Sequence, residues 1–449
     1  MTAQTTAERY DLVIDGARRP ASEGGRFETV DPATGTAFAE VARGTAADID
    51  LAVAAARRAL PDWRGMAPQE RGRLLGALAD RLRQEQDRLA ALETRDNGKP
   101  ISHARRDVET CARYFEYYAG IADKVHGESI PLTDSYVDYT VREPLGVTAQ
   151  IIPWNLPTNI FGRSVAPALA TGNVAVVKPA EQTPVTAVEI AALASEVGLP
   201  NGVLNVVPGF GTEAGARLAA HPDVDGVSFT GSVPTGIEVA QGAVENVTNV
   251  HLELGGKSPN VVFPDAEMDS AVASTVTAIF ANAGQVCSAG SRLLLHEEIS
   301  DAFLERLVTA VEALSVGPGV EDHDMGPLVS ATQFETVTEY LAVGREEAGE
   351  PLVGGDSLER EGYFVEPTIF TGVDSSMRIA QEEIFGPVLA VMEFADEAEA
   401  LALANDTEFG LVAGVHTTDM GRAHRFARDA EAGQVYINEW FAGGVETPF

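Results

Sequence analysis

Apolar and polar positions along this chain change rhythm near residue 145. From there, short apolar runs of strand length alternate with longer stretches that carry apolar residues on one helical face. "GVTAQII" reads as a strand and 158–170 as a helix; "NVAVVK" as a strand and 184–197 as a helix. "VLNVV" precedes a helix from about 212, "GVSF" precedes one over 233–243, and "NVHLEL" closes the series. A second alternating block runs from "NVVF" (260–263) to "QVYIN" (434–438), with helices near 269–283 and 299–313. Such alternation predicts α/β units with parallel sheets covered on both faces, and ligands at the carboxyl ends of the strands. Before the block, the first 45 residues read as short strands and turns, followed by helices over about 47–60, 67–95 and 103–124.

A length of 449 residues is enough for roughly two to four domains, and a hydrophobic content of 45% supports large cores. The N-terminal "MTAQTTAERYDLVIDG" lacks the basic start and apolar run of a secretory signal, and no stretch reaches the ~18 apolar residues of a membrane span. Two cysteines make no disulfide framework. A soluble, cytoplasmic protein is expected. The net charge of −35 argues against nucleic acid and anionic membrane as partners. Lysine is nearly absent, with only Lys99, Lys124, Lys178 and Lys257. A spread acidic surface with so little lysine resembles proteins of salt-loving microbes, where salt screens self-repulsion.

Several stretches have residue types suited to chemistry. Cys287 lies in "NAGQVCSAGSR", in a loop after a helix whose Val272, Val276, Ile279 and Phe280 form a core-facing stripe; Asp269 is expected to cap that helix and Gly284 to end it. A thiol mounted there is either a packing residue or a nucleophile. Cys111, in "ETCARYFEYYAG", reads as a packing residue. "PGFGTEAG" follows a strand, but its glycine spacing is one residue longer than a dinucleotide fingerprint and no acidic residue follows at the expected distance. In "FTGSVPTG", backbone N–H groups of Gly231 and Ser232 are placed to meet a pyrophosphate at a helix start. "ELGGKSP" brings Glu253 from an apolar strand into a Gly-Gly turn, as a partly desolvated general base or as a solvated strand-end acid. "IIPWNLP" presents Asn155, as an oxyanion donor or a turn former. No metal-ligand constellation stands out.

Taken in order, "PWNLP", "KPAEQTP", "FTGS", "ELGGKSP", "NAGQVCSAGSR" and "EEIFGPV" resemble the NAD(P)-dependent aldehyde dehydrogenase superfamily over nearly the whole chain. The resemblance implies two doubly wound α/β domains, a Rossmann-like cofactor domain (1–121 and 146–254) and a catalytic domain (255–449), with a protruding oligomerisation hairpin at 122–145. It implies oxidation of an aldehyde to a carboxylic acid through a thiohemiacetal and a thioester. Cys287 matches the nucleophile, Asn155 with the Cys287 N–H the oxyanion hole, and Glu253 the base that activates water. Lys178 and Glu181 match the adenine-ribose contacts, Ser232 a pyrophosphate contact, and Glu383 and Phe385 the nicotinamide-ribose clamp and its packing partner. Ile151, Ile152, Pro153, Trp154, Gly211, Phe229, Gly231 and Leu254 join the expected cofactor pocket. The Glu181 carboxylate favours NAD over NADP, because it accepts from a ribose 2′-OH and repels a 2′-phosphate.

The substrate is harder to read. Arg163 matches a position where succinic-semialdehyde dehydrogenases bind the substrate carboxylate, but their second arginine is replaced by Ala281. Arg163, Trp440, Phe441 and Phe449 are expected to line the substrate pocket, with Trp440 and Phe441 favouring an apolar aldehyde. A semialdehyde dehydrogenase, a cofactor-free cysteine hydrolase or esterase, and an inactive assembly subunit remain as alternatives. Family members continue beyond the "PF" at 448–449 with a final strand that joins the hairpin. Either the sequence is a fragment of a longer protein, or, without that partner strand, the homodimer or homotetramer expected for the family is expected to be weaker and its activity reduced.

Overall fold

The structure is a computed structural model describing residues 8–447, so the role expected of Phe449 lies outside the described residues. The chain forms two compact units. The first comprises residues up to Val30, Ala37–Asp96 and Ala104–Glu253; the second comprises Asp31–Thr36, Asn97–His103 and residues from Leu254 onward. The expected boundary after 254 thus falls one residue earlier, and the hairpin belongs to the first unit.

The first unit is built on a seven-stranded sheet. Its order is Asn249–Glu253, Gly226–Thr230, Val147–Ile152, Val174–Pro179, Leu204–Val206, Leu12–Ile14, Ala17–Arg19. The first five are mutually parallel, as the alternating pattern predicts. The last two join antiparallel, so the short N-terminal strands extend an edge that periodicity alone did not assign to them. All six residues of Val147–Ile152 and of Val174–Pro179 are buried, which is why these central strands read as continuous apolar runs. The chain winds outward from Val147–Ile152 in one direction, then returns to place Gly226–Thr230 on the other side. The carboxyl ends of those two neighbours therefore mark the switch point where such sheets bind ligands.

Two helices set the position of the turn after Val147–Ile152. Helix Pro157–Ala170 starts on a proline, which suits the first helical turn. It approaches helix Ile101–Ile121 so closely that a Cβ on Gly162 would lie 2.8 Å from Cys111 Cα and 3.0 Å from its Sγ. The helical stretch expected over 67–95 is two helices, Pro68–Gln84 and Gln86–Asn97, divided at Glu85. The hairpin contains a two-stranded antiparallel pair, Ser129–Ile130 with Asp138–Tyr139, and exposes Leu132, Tyr136, Val137, Tyr139 and Val141.

The second unit holds a six-stranded, wholly parallel sheet in the order Thr368–Phe370, Val388–Phe394, Arg292–His296, Pro259–Val262, Val412–His416, Gln434–Ile437. Helix Met268–Phe280 buries Val272, Ile279 and Phe280 and packs Val276 against the same core, matching the expected stripe. Its start differs from expectation. Glu267 occupies the cap position, and Asp269 sits inside the first turn, where its carboxylate pairs with Arg306 rather than with the helix N–H groups. No helix among the described residues is long and apolar enough to cross a membrane.

Candidate active site

In the first unit, the switch point opens into a cavity of about 610 Å³. Ten residues expected to hold the cofactor line it: Ile151, Ile152, Pro153, Trp154, Lys178, Glu181, Gly211, Phe229, Gly231 and Ser232. They come from three strand ends and the glycine-rich turn after Leu204–Val206. Its volume lies within the ~300–1,000 Å³ typical of small-molecule pockets. Lys178 is 3% exposed, and its ammonium donates to Glu181 Oε2 at 2.9 Å. Burial pushes its pKa down, and the neighbouring Glu181 charge opposes that shift. The pair fixes a donor and an acceptor at the cavity wall. Phe210 and Thr212 also line the cavity. Only their place in the "PGFGTEAG" turn hinted at this.

The turn before helix Val233–Val244 corrects one expectation. The Gly231 N–H donates to the Glu253 carbonyl at 3.0 Å, continuing the sheet ladder, so it is not directed at an anion. Ser232 stands at the cap position of the twelve-residue helix that follows. A Cβ at 231 would come within 2.5 Å of the Phe229 ring, which would then have to shift.

Asn155 and Glu253 are both buried, at 3% and 7% exposure. Asn155 sits in the turn just ahead of helix Pro157–Ala170. Glu253 ends the edge strand; His251, on the same face two residues earlier, is exposed. The solvated reading of Glu253 is therefore excluded. Arg163, one of the expected substrate-pocket residues, donates from one guanidinium nitrogen to Glu253 Oε2 at 2.9 Å and to Thr230 Oγ1 at 3.3 Å. Thr230 had no signal in the sequence, and a contact spanning 90 residues of chain has none either.

In the second unit, the chain after helix Met268–Phe280 makes a short kinked turn, with positive φ at Asn282, Ala283 and Gly284. A Cβ on Gly284 would lie 2.0 Å from the Gly386 carbonyl oxygen, so glycine is required by space as well as by backbone. Gln285 then anchors the loop: its amide oxygen accepts from Val329 N–H at 2.9 Å, and its amide nitrogen donates to the Asn282 carbonyl at 3.0 Å. Cys287 follows and is partly exposed, whereas Cys111 is buried. Burial pushes the Cys111 thiol pKa well above its usual value, with the nearby Glu93 charge adding to the shift. The two glycines of "ELGGKSP" have distinct jobs. A Cβ on Gly256 would lie 2.5 Å from the Cys287 carbonyl oxygen, and one on Gly255 would lie 2.1 Å from the Glu383 carboxylate. Gly256 N–H also donates to Glu383 Oε1 at 3.1 Å. Phe385 has a φ of 57°, and its carbonyl accepts from Gln333 at 2.9 Å. Leu254, named for the cofactor pocket, begins this unit and does not line the cavity described above.

Trp440 departs from the role expected of it. It is 4% exposed, and its indole N–H donates to the Ser288 carbonyl at 3.0 Å. Its ring fills the space beside Gly290 and Gly414, where a Cβ would lie 3.2 and 2.2 Å from it. The indole therefore braces the loop after Cys287 instead of walling an open pocket. Phe441, partly exposed, packs against the Trp440 ring with centroids 6.4 Å apart.

The sequence profile of the aldehyde dehydrogenase family matches residues 19–449. The hydroxyisobutyraldehyde dehydrogenase of Mycolicibacterium austroafricanum is 45% identical over 440 residues, covering 97% of this chain and 87% of that protein. The mitochondrial aldehyde dehydrogenase of Homo sapiens is 46% identical over 431 residues, covering 94% and 83%. The NAD+ complex of an aldehyde dehydrogenase from Bacillus cereus superposes with a TM-score of 0.97 at 41% identity, covering 98% of this chain and 91% of that one.

Proposed function

The chain belongs to the aldehyde dehydrogenase family and catalyses NAD-dependent oxidation of an aldehyde, and we propose how its own residues divide that work. Cys287 is the nucleophile. Its thiolate sulfur bonds to the aldehyde carbon, and the carbonyl π electrons move onto oxygen. The Asn155 side-chain amide and the Cys287 backbone N–H donate to that oxyanion. NAD, when bound, supplies the acceptor for the hydride that leaves the tetrahedral carbon. Cys287 then carries a thioester. Glu253 takes a proton from water as the water oxygen attacks the acyl carbon, the C–S bond breaks, and the carboxylic acid departs from a regenerated thiolate. The observation that carries this reading is the contrast between the two thiols: Cys287 alone is accessible, on a loop fixed by Gln285 and Trp440.

Lys178 and Glu181 hold the adenine ribose, Ser232 and the following helix start hold the pyrophosphate, and Glu383 with Phe385 holds the nicotinamide ribose. The substrate is an uncharged aldehyde. Two features support this: Ala281 stands where a second arginine would serve a carboxylate, and Arg163 is engaged by Glu253. One assay tests both specificities. Aliphatic, aromatic and semialdehyde substrates are each offered with NAD and with NADP. NAD should give at least about tenfold higher kcat/KM, equivalent to about 1.4 kcal/mol. Neutral aldehydes should outrank succinic semialdehyde. Equal use of NADP, or a strong semialdehyde preference, reverses the corresponding assignment.

The acidic surface suits a salt-rich cytoplasm, and the exposed apolar hairpin suits a homodimer or homotetramer. Three of the four lysines are buried: Lys99, Lys178 and Lys257. Lysine is thus retained mainly where something other than surface charge needs it. Melting temperature should rise from low salt to molar KCl, with light scattering giving the mass of two or four chains. A flat melting temperature rejects the salt adaptation, a monomer rejects the assembly, and activity outside the soluble cell fraction rejects the location.

A further inference from the structure

We infer that Arg163 is a positioning residue for the hydrolytic base, gripping Glu253 through Oε2 so that Oε1 is the oxygen that takes the proton of water. The inference rests on the reading of Glu253 as that base.

Three observations carry it. The Arg163–Glu253 contact, 2.9 Å long, joins a glutamate side chain 7% exposed to an arginine side chain 23% exposed, so water screens it weakly. The grip is one-sided: Oε2 accepts from Arg163, whereas buried Oε1 accepts no hydrogen bond from any described residue. A buried carboxylate oxygen without a donor is costly unless water or substrate supplies one. Third, Arg163 also donates to Thr230 Oγ1, at the end of the strand beside that of Glu253. One side chain thereby ties helix Pro157–Ala170 to two adjacent strand ends. The same helix begins directly after the turn holding Asn155, so the oxyanion donor and the base share a support.

The division of labour follows from the chemistry. Arginine keeps its charge at neutral pH, so Arg163 orients and neutralises without exchanging protons. The water proton moves to Glu253 Oε1, the water oxygen bonds to the acyl carbon, and the sulfur leaves. Throughout, the Oε2 contact limits rotation of the carboxylate. This role also removes Arg163 from the competition for a substrate carboxylate.

The test compares R163M, R163K, E253Q and the R163M/E253Q double variant by rapid mixing, with a neutral aldehyde and with an ω-carboxylated one. R163M should retain a burst of NADH near one per site, which shows an intact fold and nucleophile. Its steady-state rate should fall about tenfold or more with both substrates, less than the roughly 10²–10⁴-fold that loss of the base itself costs. R163K should recover most of the loss, and the double variant should be no slower than E253Q. An unchanged R163M steady state, a burst lost in both R163M and R163K, or an effect confined to KM for the carboxylated substrate overturns the inference. If E253Q itself turns over normally, the base assignment falls. If E253Q is blocked while R163M is not, only the role of Arg163 falls.

Discussion

Replacing Cys287 by alanine is expected to abolish aldehyde-dependent NADH formation, by at least about 10⁴-fold, because no other group on its loop forms the covalent intermediate. The matching change at Cys111 should spare turnover and cost about 1 kcal/mol of stability, the scale of a small buried truncation. The contrast has a structural basis. Cys287 is partly exposed, on a loop whose neighbours are pinned by side-chain hydrogen bonds. Cys111 faces Gly162 across a tight helix contact, and burial holds its thiol protonated. Both variants should retain the native circular dichroism spectrum. Measurable turnover in Cys287→Ala, in protein shown free of contaminating dehydrogenase, would remove the nucleophile assignment.

Glu253→Gln is expected to split the reaction in two. Thiol attack and oxidation precede the need for a base, so one equivalent of NADH per site should form rapidly. Subsequent turnover should then fall by roughly 10²–10⁴-fold, the range for general-base contributions. Glutamine keeps the shape of the side chain and can still accept from Arg163, so the loss reports basicity more than packing. Acid quenching during the slow phase should recover acyl groups attached to Cys287. If the burst disappears with the steady state, Glu253 acts before the thioester forms, and the order proposed above is wrong.

The alternating half of the chain was legible because its central strands are buried on both faces and its helices show one apolar stripe. The positions of "GVTAQII", "NVAVVK" and the helix before Cys287 follow from that pattern within a few residues. Motif order carried the family and ten of the 23 residues of the cavity wall. What sequence did not disclose were contacts between residues far apart. Arg163 and Glu253 are 90 positions apart, and their pairing depends on a strand returning beside the one where the sheet began. Trp440 read as a tunnel aromatic because size and position alone do not show which way an indole points. Only the space left by Gly290 and Gly414 does. Asp269 read as a helix cap because the frame slipped by two residues, leaving Glu267 at the cap.

The placement of the four lysines has a further chemical consequence. Aldehydes condense with unprotonated primary amines to form imines, so an enzyme that handles them risks modification by its own substrate. Lys99 and Lys257 are sealed at 1% exposure each, and Lys178, at 3%, lines the cavity of the first unit. Lys124, with a side chain 62% exposed, is the lysine left on the outer surface, and its ammonium is engaged by the Asp123 carboxylate and the Gly120 carbonyl. The remaining surface cations are arginines, whose guanidinium stays protonated and is a poor nucleophile toward a carbonyl. A composition so poor in lysine thus leaves the protein with little side-chain amine to lose to adduct formation.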